Sequence, residues 1–144
     1  MKINEITKIV NEYYPLISMN YKSNAKVKLY SSIFDRLDAI PAIGEDKLKD
    51  NAFAEYSWDT NKIYLYTNHL NSEEDIIRSL IHECVHSNQS HEIYEAYYEC
   101  DLDYETHPYE IEAEHEEEKW RDYKFAEFDE WMNSLGEKNG YTEY

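Results

Sequence analysis

His82-Glu83-Cys84-Val85-His86 constrains this chain more than any other stretch. It lies within residues 75–89, where Ile76, Ile77, Leu80, Ile81, Cys84 and Val85 recur at spacings of one, three and four. That rhythm predicts an amphipathic helix with one buried side. Residues four apart on a helix share a face. His82 and His86 are therefore placed to hold one metal ion together, and Glu83 stands beside them to take a proton from a metal-bound water. The stripe leaves His82, Glu83, His86 and Arg78 or Ser79 on a side that faces a cleft. Asn71-Ser72-Glu73-Glu74-Asp75 supplies the helix start, with Ser72 or Asn71 as the cap and acids in the first turn to suit the helix dipole. The plainer alternative is a surface helix with two exposed histidines.

The whole chain sets bounds on this reading. Its 144 residues are a natural size for one domain, residues 1–144, with a real core. No long apolar run is present, so no membrane span is expected. Met1-Lys2-Ile3-Asn4-Glu5 lacks the apolar stretch of an export signal, which predicts a cytoplasmic, intracellular protein. Of the two cysteines, Cys84 falls on the apolar stripe, and Cys100 has no evident partner. The net charge of −17 argues against binding nucleic acid through its phosphates. It also raises a rival idea, an acidic decoy that mimics DNA. Six glutamates stand in the nine positions from Glu110 to Glu118, most simply as a solvated helix face.

The fold class expected is α+β: a small antiparallel or mixed sheet packed on the motif helix and on a long C-terminal helix. A first helix covers residues 3–17, where Ile3, Ile6, Ile9, Val10, Tyr13 and Tyr14 share a side and Pro15 ends or bends it. Lys26-Val27-Lys28-Leu29-Tyr30 alternates as a half-buried strand. Residues 33–40 read as a short helix before a loop around Pro41 and Gly44. Residues 52–58 and 62–66 read as two strands, with Asp59-Thr60-Asn61 as a tight hairpin turn. Residues 87–104 are polar, tyrosine-rich and ambiguous. Pro108 opens a helix expected to run over residues 109–135, closed by Gly136 and Gly140.

A catalytic zinc needs three protein ligands and an open fourth position. The spacing HExxHxxGxxH fails here, because position 89 is Gln and position 92 is Glu. His91, His107, His115 and Asp101 carry no supporting pattern. His107-Pro108-Tyr109-Glu110-Ile111-Glu112-Ala113-Glu114 is the better source. Here the chain resembles the gluzincin-type zincins, small phage and bacterial HExxH metallopeptidases with a downstream P-x-E-x-E-A segment. The resemblance spans about residues 62–119. It implies His82, His86 and Glu112 as zinc ligands, Ala113 as the small residue that lets two helices approach, and Glu83 as the general base. Glu110 is the runner-up ligand, favoured by a shift in helix phase. Tyr109, Glu112, Ala113 and Glu116 would share the facing side, with Glu116 reaching a histidine N–H.

The resemblance implies a zinc-dependent metallopeptidase that hydrolyses peptide bonds through a zinc-bound water. The partners expected are a peptide or protein substrate, with no nucleic acid and no membrane. Oxyanion donors are sought among Tyr94, Tyr97, Tyr98, Tyr104, Tyr109, His91 and His107. The strand over residues 63–66 resembles the edge strand along which zincins lay an extended peptide. The alternatives are a zincin fold kept for binding without catalysis, and the acidic DNA mimic.

Overall fold

The computed structural model describes residues 1–32, 35 and 52–126. The short helix expected at 33–40 (Asp35 aside), the loop around Pro41 and Gly44, and the closing glycines Gly136 and Gly140 lie outside the described residues. The architecture is α+β, with helices packed on a three-stranded mixed sheet.

Helix α1 (Ile3–Asn20) buries Ile6, Val10, Tyr13 and Ile17, spaced by three or four along one face. Ile3, expected on that face, is 54% exposed. Pro15 does not end α1, which continues to Asn20. A proline removes one N–H and frees the carbonyl four residues back. Both Pro15 and Asn11 lie on the exposed side of α1, where water can replace the missing donor.

Strand β1 (Lys26–Tyr30) follows, then β2 (Ala54–Ser57) and β3 (Lys62–Tyr66). The order is β1-β3-β2: β3 pairs parallel with β1 and antiparallel with β2. The β2–β3 hairpin turns through Asp59-Thr60-Asn61 as its composition predicts. Asn61 adopts φ 51, a left-handed conformation that asparagine tolerates. Its side chain accepts from the Tyr56 hydroxyl at 2.7 Å and donates to Asn24 Oδ1 at 2.8 Å. β3 is the central strand, not the edge strand that the resemblance implies, and every residue from Ile63 to Tyr66 is buried. Ile63 and Leu65 face the helices; Tyr64 and Tyr66 form a second buried cluster.

The motif helix α2 (Glu73–Ser87) packs against α1, the sheet and a later helix. Its stripe is buried as the spacing predicts, with Ile76, Ile77, Leu80, Ile81 and Cys84 at 0% exposure. Ser72 is the cap, its Oγ accepting from the Asp75 amide at 3.1 Å, while Asp75 accepts from the Asn71 amide at 3.0 Å. Three further helices complete the described chain: α3 (His91–Glu99), α4 (Pro108–Glu117) and α5 (Trp120–Lys124). The long helix expected over 109–135 is therefore broken after Glu117. Glu114, Glu116, Glu117 and Glu118 crowd the C-terminal turn of α4. Acids there repel one another and the negative end of the helix dipole. The turn at Glu118 and Lys119 closes with tight bonds to the carbonyls of His115 and Glu116. Beyond it, Tyr123 is buried against α1 and receives a bond from Asn20 at 3.2 Å. Among the described residues, no helix is long and apolar enough to cross a membrane.

The two supports of α2 should differ measurably in weight. Leu80→Ala removes a fully buried side chain, and a loss of about 2–5 kcal/mol is expected. Ser72→Ala removes only the cap and should cost about 1 kcal/mol. Urea unfolding checks both; equal losses would mean that the stripe is not the main anchor.

Candidate metal centre

The two motif histidines, one turn apart on α2, turn their rings into a common space, with centroids 4.8 Å apart. The carboxylate of Glu110 lies between them. Its Oε2 is 3.0 Å from His82 Nε2, and its Oε1 is 3.1 Å from His86 Nε2. One ligand atom from each of the three residues can be chosen so that all lie within 4.8 Å of one another. All three residues are largely buried; Glu110 is 3% exposed and His86 5%.

The far side of each ring is also engaged. His82 Nδ1 donates to Glu117 Oε2 at 2.9 Å, and His86 Nδ1 donates to Gln89 Oε1 at 2.6 Å. Metal-ligating histidines commonly have one ring N–H held by an acceptor in this way, which aims the other nitrogen at the ion. Here both Nε2 atoms point at Glu110. A carboxylate can only accept while it is ionised, so in this arrangement each ring donates from both nitrogens. A divalent cation would take the place of the two Nε2 protons, bound by two imidazoles and one carboxylate. The donor set thus fits a first-row divalent ion with nitrogen and oxygen ligands.

Glu112, implied by the resemblance as the third ligand, is not brought to the histidines. It is exposed on α4. The buried positions of α4 are Glu110 and Ala113, with Glu117 continuing the same face seven residues on. Ala113 is 0% exposed and does mark the close approach of α4 to α2. A step of three from Ala113 stays on that face, and a step of one leaves it. Glu110 also lies in the first turn of α4, where the helix dipole favours an anion. Glu116, expected to reach a histidine, instead accepts from the Tyr21 hydroxyl at 2.7 Å and pairs with Lys119. Glu117 holds the histidine in its stead.

The remaining candidates are accounted for elsewhere. His107 is wholly buried as the cap of α4: its Nδ1 accepts from the Tyr109 amide at 3.1 Å, and its Nε2 donates to the Tyr94 carbonyl at 2.9 Å. His91 stacks on Trp58 with centroids 4.7 Å apart, and His115 and Asp101 are exposed. Sequence reasoning missed Gln89, Glu117 and Trp58 at the site. Glu117 was detectable only with the right phase for α4. Gln89 carried no signal beyond its place three residues after His86.

Burial and neighbouring charge set the electrostatics. Burial opposes charge on His82, but the carboxylates of Glu110, Glu117 and Glu83 outweigh it and raise its pKa to about 10. His86 is shifted the same way: burial opposes its charge, and Glu110 and Glu83 prevail. Burial also works against an ionised Glu110, yet the two histidines and the Tyr94 hydroxyl, which donates to Oε1 at 2.6 Å, hold its carboxyl well below the usual range. Glu83 goes the other way. Its burial outweighs the attraction of both histidines and raises its pKa. Its Oε1 is 3.9 Å from His82 Nε2, and its Oε2, although buried, has no hydrogen-bond partner among the described residues.

These groups line a cavity of about 700 Å³. Its walls include Ala54 and Tyr56 of β2, Trp58, Ser79, Tyr94, Tyr104 and Glu117. The strand that borders the site is therefore β2, at the sheet edge among the described residues, and not β3. Comparison with protein-family profiles, with curated proteins and with solved structures finds no match for this chain.

Two outcomes follow from this geometry. Elemental analysis after dialysis should find one divalent ion per chain, lost in His82→Ala, His86→Ala and Glu110→Ala but kept in Glu112→Ala. Loss in Glu112→Ala with retention in Glu110→Ala would reverse the ligand assignment. The second outcome concerns pH. A histidine whose folded pKa is raised stabilises the fold fully below its ordinary value and loses that contribution as pH climbs through the raised one. For His82 the window runs from 6.5 to about 10. Thermal stability without metal should fall across it, while zinc affinity, freed from proton competition, should rise. Melting curves and a competing chromophoric chelator measure the pair; affinity that is flat with pH would contradict the assignment.

Proposed function

We propose that this protein is a zinc-dependent hydrolase of peptide bonds, built on a minimal zincin-like plan. The observation that carries the reading is the pair of Nε2 atoms converging on Glu110 while Glu117 and Gln89 hold both Nδ1 atoms. Such pinning orients a ligand set, and an ordinary surface helix has no use for it. When bound, zinc supplies an acidified water and a Lewis acid for the scissile carbonyl.

The residues of the chain supply the rest. Glu83 lines the cavity with one oxygen unpartnered among the described residues and with a raised pKa, both of which suit a carboxylate that accepts a proton from the attacking water and returns it to the leaving nitrogen. Of the seven donors considered for the oxyanion, Tyr94 and Tyr104 line the cavity. Tyr94 already donates to Glu110 and orients that carboxylate. β2 is an edge strand among the described residues, and an extended peptide is placed beside it on that account. A DNA mimic would present its acids outward. Of the acidic run, Glu110 and Glu117 serve the histidines and Glu116 binds Tyr21, while Glu112, Glu114 and Glu118 are exposed.

Glu83→Gln separates catalysis from metal binding. The variant should keep its metal and lose about 10²- to 10⁴-fold in kcat on an unfolded protein substrate. Full activity in Glu83→Gln would remove Glu83 from the base role. Metal retention with no hydrolysis of any peptide by the unmodified protein would leave a binding protein on the same plan.

A further inference from the structure

Taking His82, His86 and Glu110 as a metal centre, on which this inference rests, we infer that His107 is a positioning residue for it. One ring fixes both the helix turn that carries Glu110 and the tyrosine that holds its carboxylate. Glu110 stands three residues after His107, in the first turn of α4. The residue that starts this turn decides which way Glu110 faces. His107 starts it with two bonds. Its carbonyl accepts from the Ile111 amide at 3.0 Å, and its Nδ1 accepts from the Tyr109 amide at 3.1 Å. The amide beside Glu110 is thereby capped.

The other side of the ring reaches the same carboxylate by a second route. Nε2 donates to the Tyr94 carbonyl on α3 at 2.9 Å. The hydroxyl of that tyrosine donates to Glu110 Oε1 at 2.6 Å. These bonds close a loop, from His107 through Tyr94 to Glu110 and back along α4 to His107. Both ring partners are backbone groups with one role each: an amide N–H donates and a carbonyl accepts. The ring is therefore held as the tautomer with its proton on Nε2. Serine, aspartate or asparagine caps a helix from a short side chain. An imidazole adds a donor on the far side of a rigid ring.

Burial stiffens the loop. His107 is 0% exposed, and Tyr94, Tyr97 and Tyr98 pack around its ring with centroids 4.4, 5.1 and 4.7 Å away. Tyr94 in turn meets the His86 ring edge-on at 5.5 Å. A displaced His107 moves Tyr94, and Tyr94 touches two of the three members of the triad. A histidine that only filled the core would affect stability alone. A positioning residue affects metal affinity too, and does so through Tyr94.

The test is zinc affinity, measured at one pH by competition with a chromophoric chelator. It compares the unaltered protein, His107→Asn, Tyr94→Phe and the double variant. His107→Asn keeps an acceptor for the cap and loses the donor to Tyr94. Tyr94→Phe keeps the ring and loses the hydroxyl. Each single variant should bind zinc about tenfold more weakly. The double variant should also lose about tenfold, not the roughly hundredfold of independent losses, because both changes break one loop. Undiminished affinity in His107→Asn, or losses that multiply, would leave His107 a core residue and overturn the inference. If His107→Asn does not fold, proton–nitrogen NMR of the histidine rings in the unaltered protein decides. His107 should carry its proton on Nε2, and its resonances should move when zinc is added; the other tautomer, or a ring indifferent to zinc, overturns the inference. No zinc binding by the unaltered protein would sink the metal centre and this inference with it. Zinc binding in the expected pattern without hydrolysis would uphold the inference and sink only the hydrolase reading.

Discussion

A buried carboxylate between two imidazoles organises this structure. Glu110 is almost wholly removed from water, and such a charge is tolerated only when it is paired and hydrogen-bonded. Its two oxygens receive His82, His86 and Tyr94, so its lone pairs are taken up by groups from two other helices. These bonds fix how close α4 comes to α2 and which face it turns inward. Ala113 makes the approach sterically possible, and the bonds to Glu110 and Glu117 make it specific. The apolar core behind α2 is a separate device. Ile76, Ile77, Leu80, Ile81 and Cys84 seat the motif helix on α1 and the sheet, so the face that carries His82 and His86 is held from behind by packing and from the front by charge.

The same network could hold either protons or a metal ion. Two imidazoles and a carboxylate can share protons, with the histidines drawn toward the charged form and Glu110 away from the neutral one. They can equally share a divalent ion, which replaces those protons with a similar charge at a similar place. Each ring stays oriented in both cases, because Glu117 and Gln89 hold the Nδ1 atoms that neither exchange touches. Glu83 is outside this sharing. Its burial raises its pKa, and its Oε2 has no hydrogen-bond partner among the described residues.

Local patterns in the chain foretold local structure well. The apolar rhythm of α2, the Ser72 cap, the strand β1 and the turn at Asp59-Thr60-Asn61 all depend on neighbours within a few residues, and each formed where its pattern lay. The misses depend on distant partners. The strand order places β3 between β1 and β2, and nothing within Lys62–Tyr66 distinguishes a central strand from an edge except its unbroken apolar and aromatic run. The third ligand turned on the phase of α4. Glu110 and Glu112 are two residues apart, so they fall on nearly opposite sides of a helix, and the choice between them lies in what anchors its start. Pro15 lies within α1 and does not end it, because the cost of a proline depends on whether water can reach the orphaned carbonyl, which is a property of the folded surface.

What anchors the start of α4 is the connection that looked least informative. Residues 88–107 return the chain from the end of the motif helix to the start of the ligand helix, and α3 lies within them. Gln89 uses both ends of its amide at once: Oε1 receives His86, and Nε2 donates to the Tyr109 carbonyl at 3.1 Å in the first turn of α4. Tyr94 does the same at another level, its carbonyl accepting from the capping His107 and its hydroxyl donating to Glu110. Trp58 adds a bond from its indole to the Gln89 carbonyl at 3.1 Å, tying in the β2–β3 turn. Gln89 thereby joins His86 to the first turn of α4, and Tyr94 joins Glu110 to the cap of its own helix. The connecting segment acts as a bracket, in which rotation of α4 by the angle that would offer Glu112 breaks the bonds of Tyr94, Glu110 and Glu117 together.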